Sequence, residues 1–250
     1  MENMMRKKSV SIVLLAYNEE KNLKIILPRV NKIVSDMGIE YEILIIDSEK
    51  STDHTKKVAE ANNARYMIQE EPYYGGAFRT GIKYASKERL LVLDADGSHN
   101  PKDIPAIYKK FEKGYDLVIG SRYTKGGKSN DRKLSFLMSK LLNMTMRIAI
   151  GVKAKDISTS FRLYDMKQIK EVTLVRNNYD VLQEVILKMK INKRKKRQTF
   201  LIGEIPIVFQ KRVYGDSKRK LWKFIKGYVY TAVMLFYMNV KSIFEKNKYK

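Results

Sequence analysis

The sequence predicts an α/β protein with a mostly parallel central sheet and helices on both of its faces. Three observations lead there. Short apolar runs at residues 10–15, 90–93 and 117–119 are separated by longer stretches of helical periodicity, the alternation that builds parallel sheets. The chain has 250 residues, 44% of them hydrophobic, which suffices for one large core. Polar, turn-forming segments follow the carboxyl ends of the apolar runs, and open α/β sheets bind their ligands at those ends.

Residues 10–15 (VSIVLL) read as a buried strand and 19–37 as a helix. A second strand is expected over 42–46 and a second helix over 52–62, with Ser51 or Thr52 as N-cap. Residues 65–68 form a short third strand, and 76–87 a helix that follows a glycine turn. Residues 90–93 are a fully apolar strand, Pro101 opens a helix to about 113, and 117–119 are a further strand. The second half is less regular. Helices are expected over 134–152, which is Met-rich, over 181–189, and over 222–244. Residues 202–209 read as a strand, and Pro206 makes it an edge. The basic run 192–197 reads as a solvated loop, and neither repeats nor linkers are apparent.

Charge and composition narrow the function. Lys and Arg number 50 against 27 Asp and Glu, a net charge of +23. That balance suits an anionic partner, whether nucleic acid, an acidic membrane surface or a phosphorylated substrate, or else serves solubility alone. The absence of Cys excludes disulfides and thiolate chemistry. With His54 and His99 as the only histidines, a metal would have to be hard and oxygen-bound. Residues 1–8 are short and basic and run into a strand without an apolar signal region. The longest charge-free apolar stretch, 227–240, falls short of the ~20 residues that span a bilayer. A cytoplasmic protein, peripheral to a membrane, is therefore expected.

Asp94-Ala95-Asp96-Gly97 follows the apolar strand 90–93. Two carboxylates so close disfavour each other's ionisation unless a cation intervenes, and Mg²⁺ or Mn²⁺ accepts one or two carboxylates while keeping phosphate and water oxygens. Taken alone, the same four residues would serve equally as a turn. Residues 16–20 (AYNEE) follow the first strand and offer an aromatic face and carboxylates to a base. A helix start stabilised by Glu19 and Glu20 explains them as well. Residues 47–53 offer a carboxylate for ribose or base edges, or Asx-turn capping. Arg122, after strand 117–119, suits bidentate phosphate binding. Residues 126–129 (GGKS) lack the strand–loop–helix frame of a Walker motif. Residues 212–218 gather Arg212, Gly215, Ser217 and Lys218 into a compact anion-binding loop with lid character.

In order along residues 10–235, these segments resemble the inverting family 2 glycosyltransferases, particularly the dolichol-phosphate mannosyltransferases and polyprenyl-phosphate glucosyltransferases. The matching strings are 16–20, 47–55, 94–99 with Pro101, 120–123, 160–164, 203–208 and 212–218. The resemblance implies a GT-A (nucleotide-diphospho-sugar transferase) fold, a nucleoside-diphosphate sugar donor and a polyprenyl (dolichyl) phosphate acceptor. It implies a catalytic domain over 1–220 and an interfacial, amphipathic helical region over 221–250. Asp94, Asp96 and Arg122 would be catalytic. Tyr17, Glu19, Ile46, Asp47, Ala95, Lys188, Arg212 and Lys218 would bind the nucleotide sugar. Arg122 and Ser217 would meet the acceptor phosphate, and Asp94, Asp96 and Ser98 would hold Mg²⁺ or Mn²⁺. An acceptor phosphate with a second pKa of ~6 is already a nucleophile near neutrality, so no general base is required. Leu15, Ser48 and His54 depart from the family's usual proline, aspartate and glycine. The base thus stays open, with mannose favoured over glucose as the sugar. A different acceptor, such as a glycan, is the alternative within the family. A basic nucleic-acid-binding protein is the alternative outside it, although nucleic acid is not an expected partner of an enzyme with this acidic rim.

Overall fold

The computed structural model describes residues 8–130, 133–212, 214 and 221–247. Its elements run β1 (Val10–Ala16), α1 (Glu20–Asp36), β2 (Tyr41–Asp47), α2 (Thr55–Ala61), β3 (Arg65–Ile68), α3 (Tyr73–Tyr84) and β4 (Arg89–Asp94). A 3-10 turn (Pro101–Asp103) leads into α4 (Ile104–Phe111), β5 (Leu117–Ser121) and β6 (Lys128–Ser129). The chain continues through α5 (Lys133–Ile150), β7 (Arg162–Asp165), α6 (Met166–Lys170), α7 (Val181–Lys195), β8 (Ile202–Pro206), β9 (Val208–Phe209) and α8 (Leu221–Asn247).

The main sheet has the order β3-β2-β1-β4-β7-β5-β8. Every pairing is parallel except those of β7, which enters antiparallel between β4 and β5. β1 is buried on both faces, as its apolar run requires, and its side chains alternate between two cores. Val13 and Leu15 pack with Phe78, Ile150, Val185 and Leu235 on the α3, α5, α7 and α8 side. Ile12 and Leu14 pack with Leu23, Leu27, Val58 and Ile107 on the α1, α2 and α4 side.

Four expectations change. First, a strand that the sequence pattern does not mark, β7, lies between β4 and β5. Second, α3 starts at Tyr73, three residues before the expected start, so Gly75 as well as Gly76 lies inside the helix. Close backbone approach explains them: a Cβ at Gly75 would lie 2.0 Å from the Arg176 carbonyl oxygen, and one at Gly76 1.9 Å from that of Glu71. Third, the run 192–197 is largely helical. Lys193, Arg194 and Lys195 form the last turn of α7, where the helix dipole favours cations, and Lys193 pairs with Asp116 at 2.8 Å. Fourth, the strand expected over 202–209 divides. β8 keeps the sheet edge beside β5, and β9 turns away to pair with β6.

α8 packs on α5 and α7. Tyr228 and Leu235 are buried in the core, while Tyr230, Val233, Phe236 and Tyr237 on its other face are exposed. Among the described residues, no helix is long and apolar enough to cross a membrane.

Candidate active site

Strand register assembles the site. Leu15 of β1 lies opposite Asp94 of β4, and Ala16 lies opposite Asp47 of β2, so both carboxylates end on one rim. β5 ends on the same rim. Because β7 runs the other way, its leading segment, 156–161, also arrives there.

The Asp94 turn is tightly built. Ala95 and Asp96 are buried, Gly97 takes a φ of 82°, and Ser98 is buried. Ser98 donates to Asp96 Oδ1 from both its backbone N–H (3.0 Å) and its hydroxyl (2.6 Å). Arg212 Nε faces the other oxygen, Oδ2, at 3.0 Å. Gln210 N–H donates to the Ser98 carbonyl at 2.9 Å, which lays the segment after β9 across the turn. Asp96, Ser98 and Arg212 are thus brought together, with Asp94 two residues before Asp96 at the end of β4. Two carboxylates and a hydroxyl are an all-oxygen donor set that fits Mg²⁺ or Mn²⁺, and the Arg212 guanidinium shows one carboxylate already directed at a cation. Among the described residues, no group of three or more acidic or histidine side chains forms a ready-made metal cage.

His99 closes the turn from beneath. It is 1% exposed, and its Nδ1 accepts the Asp94 backbone N–H at 3.1 Å. The ring proton therefore sits on Nε2, 3.2 Å from the Thr159 hydroxyl. The ring stacks on Phe161 and meets the edge of Phe209. Burial pushes its pKa below the usual value against the opposing pull of Asp94 and Asp96. Its role as a ring acceptor was not read from the sequence.

The first two rim loops clasp each other. Asn18 adopts a φ of 56°, and its side-chain oxygen accepts from Thr52 N–H (2.7 Å) and the Ser51 hydroxyl (3.0 Å). Asp53 accepts from Glu20 N–H at 2.9 Å and from Thr55 N–H at 3.0 Å; α2 starts at Thr55, three residues later than expected, with His54 at the N-cap position in place of Ser51 or Thr52. Lys24, together with the backbone and ring of His54, holds the Glu20 carboxyl down to about 2. Tyr17 stands exposed on the rim. Glu19 accepts from Asn22 at 2.5 Å, and Asn22 in turn accepts from Tyr214 N–H at 3.1 Å. Ile46 packs in the core. Asp47 is fully buried and accepts from Ser48 N–H (2.8 Å) and the Tyr66 hydroxyl (3.1 Å). Burial pushes its carboxyl up, opposed by hydrogen bonds from Ser51, Ser48 and Tyr66.

Arg122 reaches the rim in the grip of a partner that sequence reasoning missed. Its Nε and one terminal nitrogen engage Asp156 at 2.7 and 2.9 Å, and its backbone N–H adds a third contact at 3.0 Å. Ser158 accepts from the same guanidinium at 2.7 Å, which lies over the rings of Tyr123 and Phe209. Burial alone would raise the pKa of Asp156, but Arg122 outweighs it and the net shift is downward. Asp156 is a lone carboxylate in an irregular stretch, with no spacing signal to mark it. Lys188 is committed within α7 and the preceding loop, to Glu184 at 2.7 Å and the Thr173 carbonyl at 2.6 Å. Ser217 and Lys218 lie outside the described residues.

The chain is similar to known glycosyltransferases. A dolichol-phosphate mannosyltransferase of Pyrococcus furiosus is 32% identical over 223 residues, 84% of this chain and 59% of that protein. An undecaprenyl-phosphate 4-deoxy-4-formamido-L-arabinose transferase of Klebsiella pneumoniae is 27% identical over 87% of this chain and 64% of its own length. The chain thus spans about three fifths of these curated relatives. Glucosyl-3-phosphoglycerate synthase from Mycobacterium tuberculosis, solved with Mn²⁺, UDP-glucose and phosphoglyceric acid, superposes with a TM-score of 0.69 at 17% identity, over 92% of this chain and 80% of that one. The same enzyme solved with Mg²⁺ and UDP gives a TM-score of 0.65 at 16% identity, over 96% and 79% of the two chains. This likeness identifies the fold as GT-A. The model of "Glycosyl transferase family 2" matches residues 11–173. Since that match takes in the strands of the rim, the Asp94–Ser98 turn and the Arg122–Asp156 pair, the chain belongs to glycosyl transferase family 2.

Proposed function

We propose that the protein transfers a hexose, mannose before glucose, from a nucleoside-diphosphate sugar to a polyprenyl phosphate such as dolichyl phosphate, with inversion and with a divalent cation. The observation that carries this reading is the meeting of Asp96 and Ser98 with Arg212 just past the carboxyl end of β4, which Asp94 terminates. Asp94, Asp96 and Ser98 would hold Mg²⁺ or Mn²⁺ against the donor diphosphate. Bound there, the cation neutralises the charge that develops on the leaving group. Arg212 would exchange Asp96 for diphosphate oxygens, an accessible step for a side chain 29% exposed, and Lys218 would join it. Tyr17 and Glu19 would contact the nucleoside, while Ala95, Ile46 and Asp47 form the wall behind it. Arg122 and Ser217 would receive the acceptor phosphate.

In the reaction, an acceptor phosphate oxygen attacks the sugar C1 from the face opposite the diphosphate. The new C1–O bond forms as the bond to the diphosphate breaks, and the nucleoside diphosphate departs. The acceptor is already anionic, so no side chain has to remove a proton. The family relatives named for polyprenyl-phosphate transfer support this acceptor. A membrane surface would present it, and the exposed apolar faces of α5 and α8 suit that surface. Nucleic acid is not a proposed partner: Lys193 and Lys196 of the basic run pair with Asp116 and Glu171.

Asp96→Ala tests the central assignment. Mn²⁺-dependent transfer from GDP-mannose or UDP-glucose to a polyprenyl phosphate should fall by ~100-fold or more, with an unchanged circular dichroism spectrum. Wild-type turnover in the variant would refute the reading. A thermal-shift series with GDP- and UDP-sugars in Mn²⁺ would name the base, since the true donor stabilises the fold according to its affinity.

A further inference from the structure

We infer that His99 is a positioning residue, holding the backbone of Asp94 so that the carboxylates of the Asp94–Ser98 turn are set for the cation. The inference rests on the function proposed above and concerns a residue to which that function assigns no part.

Sheet register shows why a holder is needed. β7 pairs with β4 only as far as Val92 opposite Arg162. Two residues further, the same register would set Asp94 opposite Ser160, but the chain there has left the ladder. A buried backbone N–H without a partner costs free energy and loosens its segment. His99 fills that gap from within the turn itself. Nδ1 takes the Asp94 N–H, and Nε2 reaches Thr159, next to the absent strand partner. Phe161 and Phe209 clamp the ring plane, so the acceptor direction is fixed. The same ring therefore ties the end of β4, the segment before β7 and β9 together at the residue that follows Ser98.

A histidine that merely fills an aromatic cluster would occupy the same space, and substitutions separate the two roles. Asn at position 99 places an oxygen where Nδ1 accepts. Gln extends past it toward Thr159, and Phe keeps the stack with no acceptor. The readout is Mn²⁺ binding by electron paramagnetic resonance, in GDP and separately in UDP, alongside the melting temperature. His99→Phe and His99→Gln should weaken Mn²⁺ binding about tenfold, the effect of one lost hydrogen bond, while His99→Asn stays within about threefold of wild type. If His99→Phe fails to fold, the Asn and Gln variants carry the comparison by themselves. Equal Mn²⁺ affinity in Asn and Gln, or wild-type affinity in Phe, would overturn the positioning role and leave the proposed function standing. A wild-type protein that binds no Mn²⁺ with either nucleotide would overturn both.

Discussion

At the scale of single residues, Asp156 determines what Arg122 can do. The guanidinium is 9% exposed and chelated by a fully buried carboxylate, so it meets the rim in one orientation. Removing one partner of a buried ion pair leaves an uncompensated charge and typically costs ~3–5 kcal/mol. Asp156→Asn should therefore lower the urea midpoint by a corresponding amount, and the folded fraction should transfer sugar poorly because Arg122 is no longer oriented. The pH dependence follows from the sign of the shift. The folded-state pKa of Asp156 lies below its usual value, so its stabilisation is complete above that usual value, about 3.9. It is lost as pH falls through the lower, folded value. Urea titrations from neutral to acid pH should show a wild-type decline in that window that is absent from Asp156→Asn. A parallel decline in both proteins would remove Asp156 as the source.

At the scale of elements, what could be read from the sequence followed from where the physical signal is local. β1, β4 and β5 are visible because strands buried on both faces must be continuously apolar. The Asp94 turn is visible because two carboxylates follow such a strand. β7 is hidden because it begins with Arg162, a residue type that normally marks the surface. Here it is fully buried, and its terminal nitrogens donate to the carbonyls of Leu182 and Ile157 at 2.6 and 2.7 Å. Asp156 and the ring acceptor of His99 are hidden for a related reason, since their partners come from other elements. The sequence pattern starts α3 three residues late because Gly75 signals a turn locally, whereas Gly75 and Gly76 both answer a tertiary demand for closely approaching backbones. That demand is measurable. Gly76→Ala sets a methyl against the Glu71 backbone, which cannot swing aside, and overpacking of this kind costs ~1–3 kcal/mol. In contrast, Gly227 of α8 is exposed with nothing within 4 Å of an added Cβ. Gly227→Ala should raise stability by about 0.5–1 kcal/mol through helix propensity alone. Melting temperatures that move in opposite directions would confirm the distinction, and a harmless Gly76→Ala would remove it.

At the scale of the whole molecule, charge and exposed apolar surface point the same way. Leu137, Leu141, Met144 and Ile148 recur along α5 at helical spacing and are all exposed. Val229, Val233, Phe236 and Tyr237 do the same on α8, opposite the buried Tyr228, Thr231 and Leu235. The two helices descend together from the rim. Tyr123 reaches Ser139 near the start of α5 at 2.9 Å, and Asn239 of α8 donates to Ala149 near its end at 3.1 Å. Both helices thus carry an exposed apolar stripe, and the start of α5 lies next to the loop that follows β5 on the rim. A net charge of +23 adds attraction to anionic headgroups, worth ~1 kcal/mol for each basic residue near the surface. Apolar insertion and charge attraction respond differently to salt, because only the second is screened. Sedimentation with vesicles rich in anionic phospholipid should therefore show binding that weakens with salt without vanishing, and weaker binding to zwitterionic vesicles. The double variant Val233→Glu with Phe236→Glu places charge on exposed positions, so the fold and melting temperature should hold while the salt-resistant part of binding is lost. Transfer to a short, water-soluble polyprenyl phosphate should persist in that variant, whereas transfer to acceptor embedded in vesicles should fall with the binding. Undiminished vesicle binding by the double variant would mean that α5 and α8 do not meet the bilayer and that the charge alone carries the association.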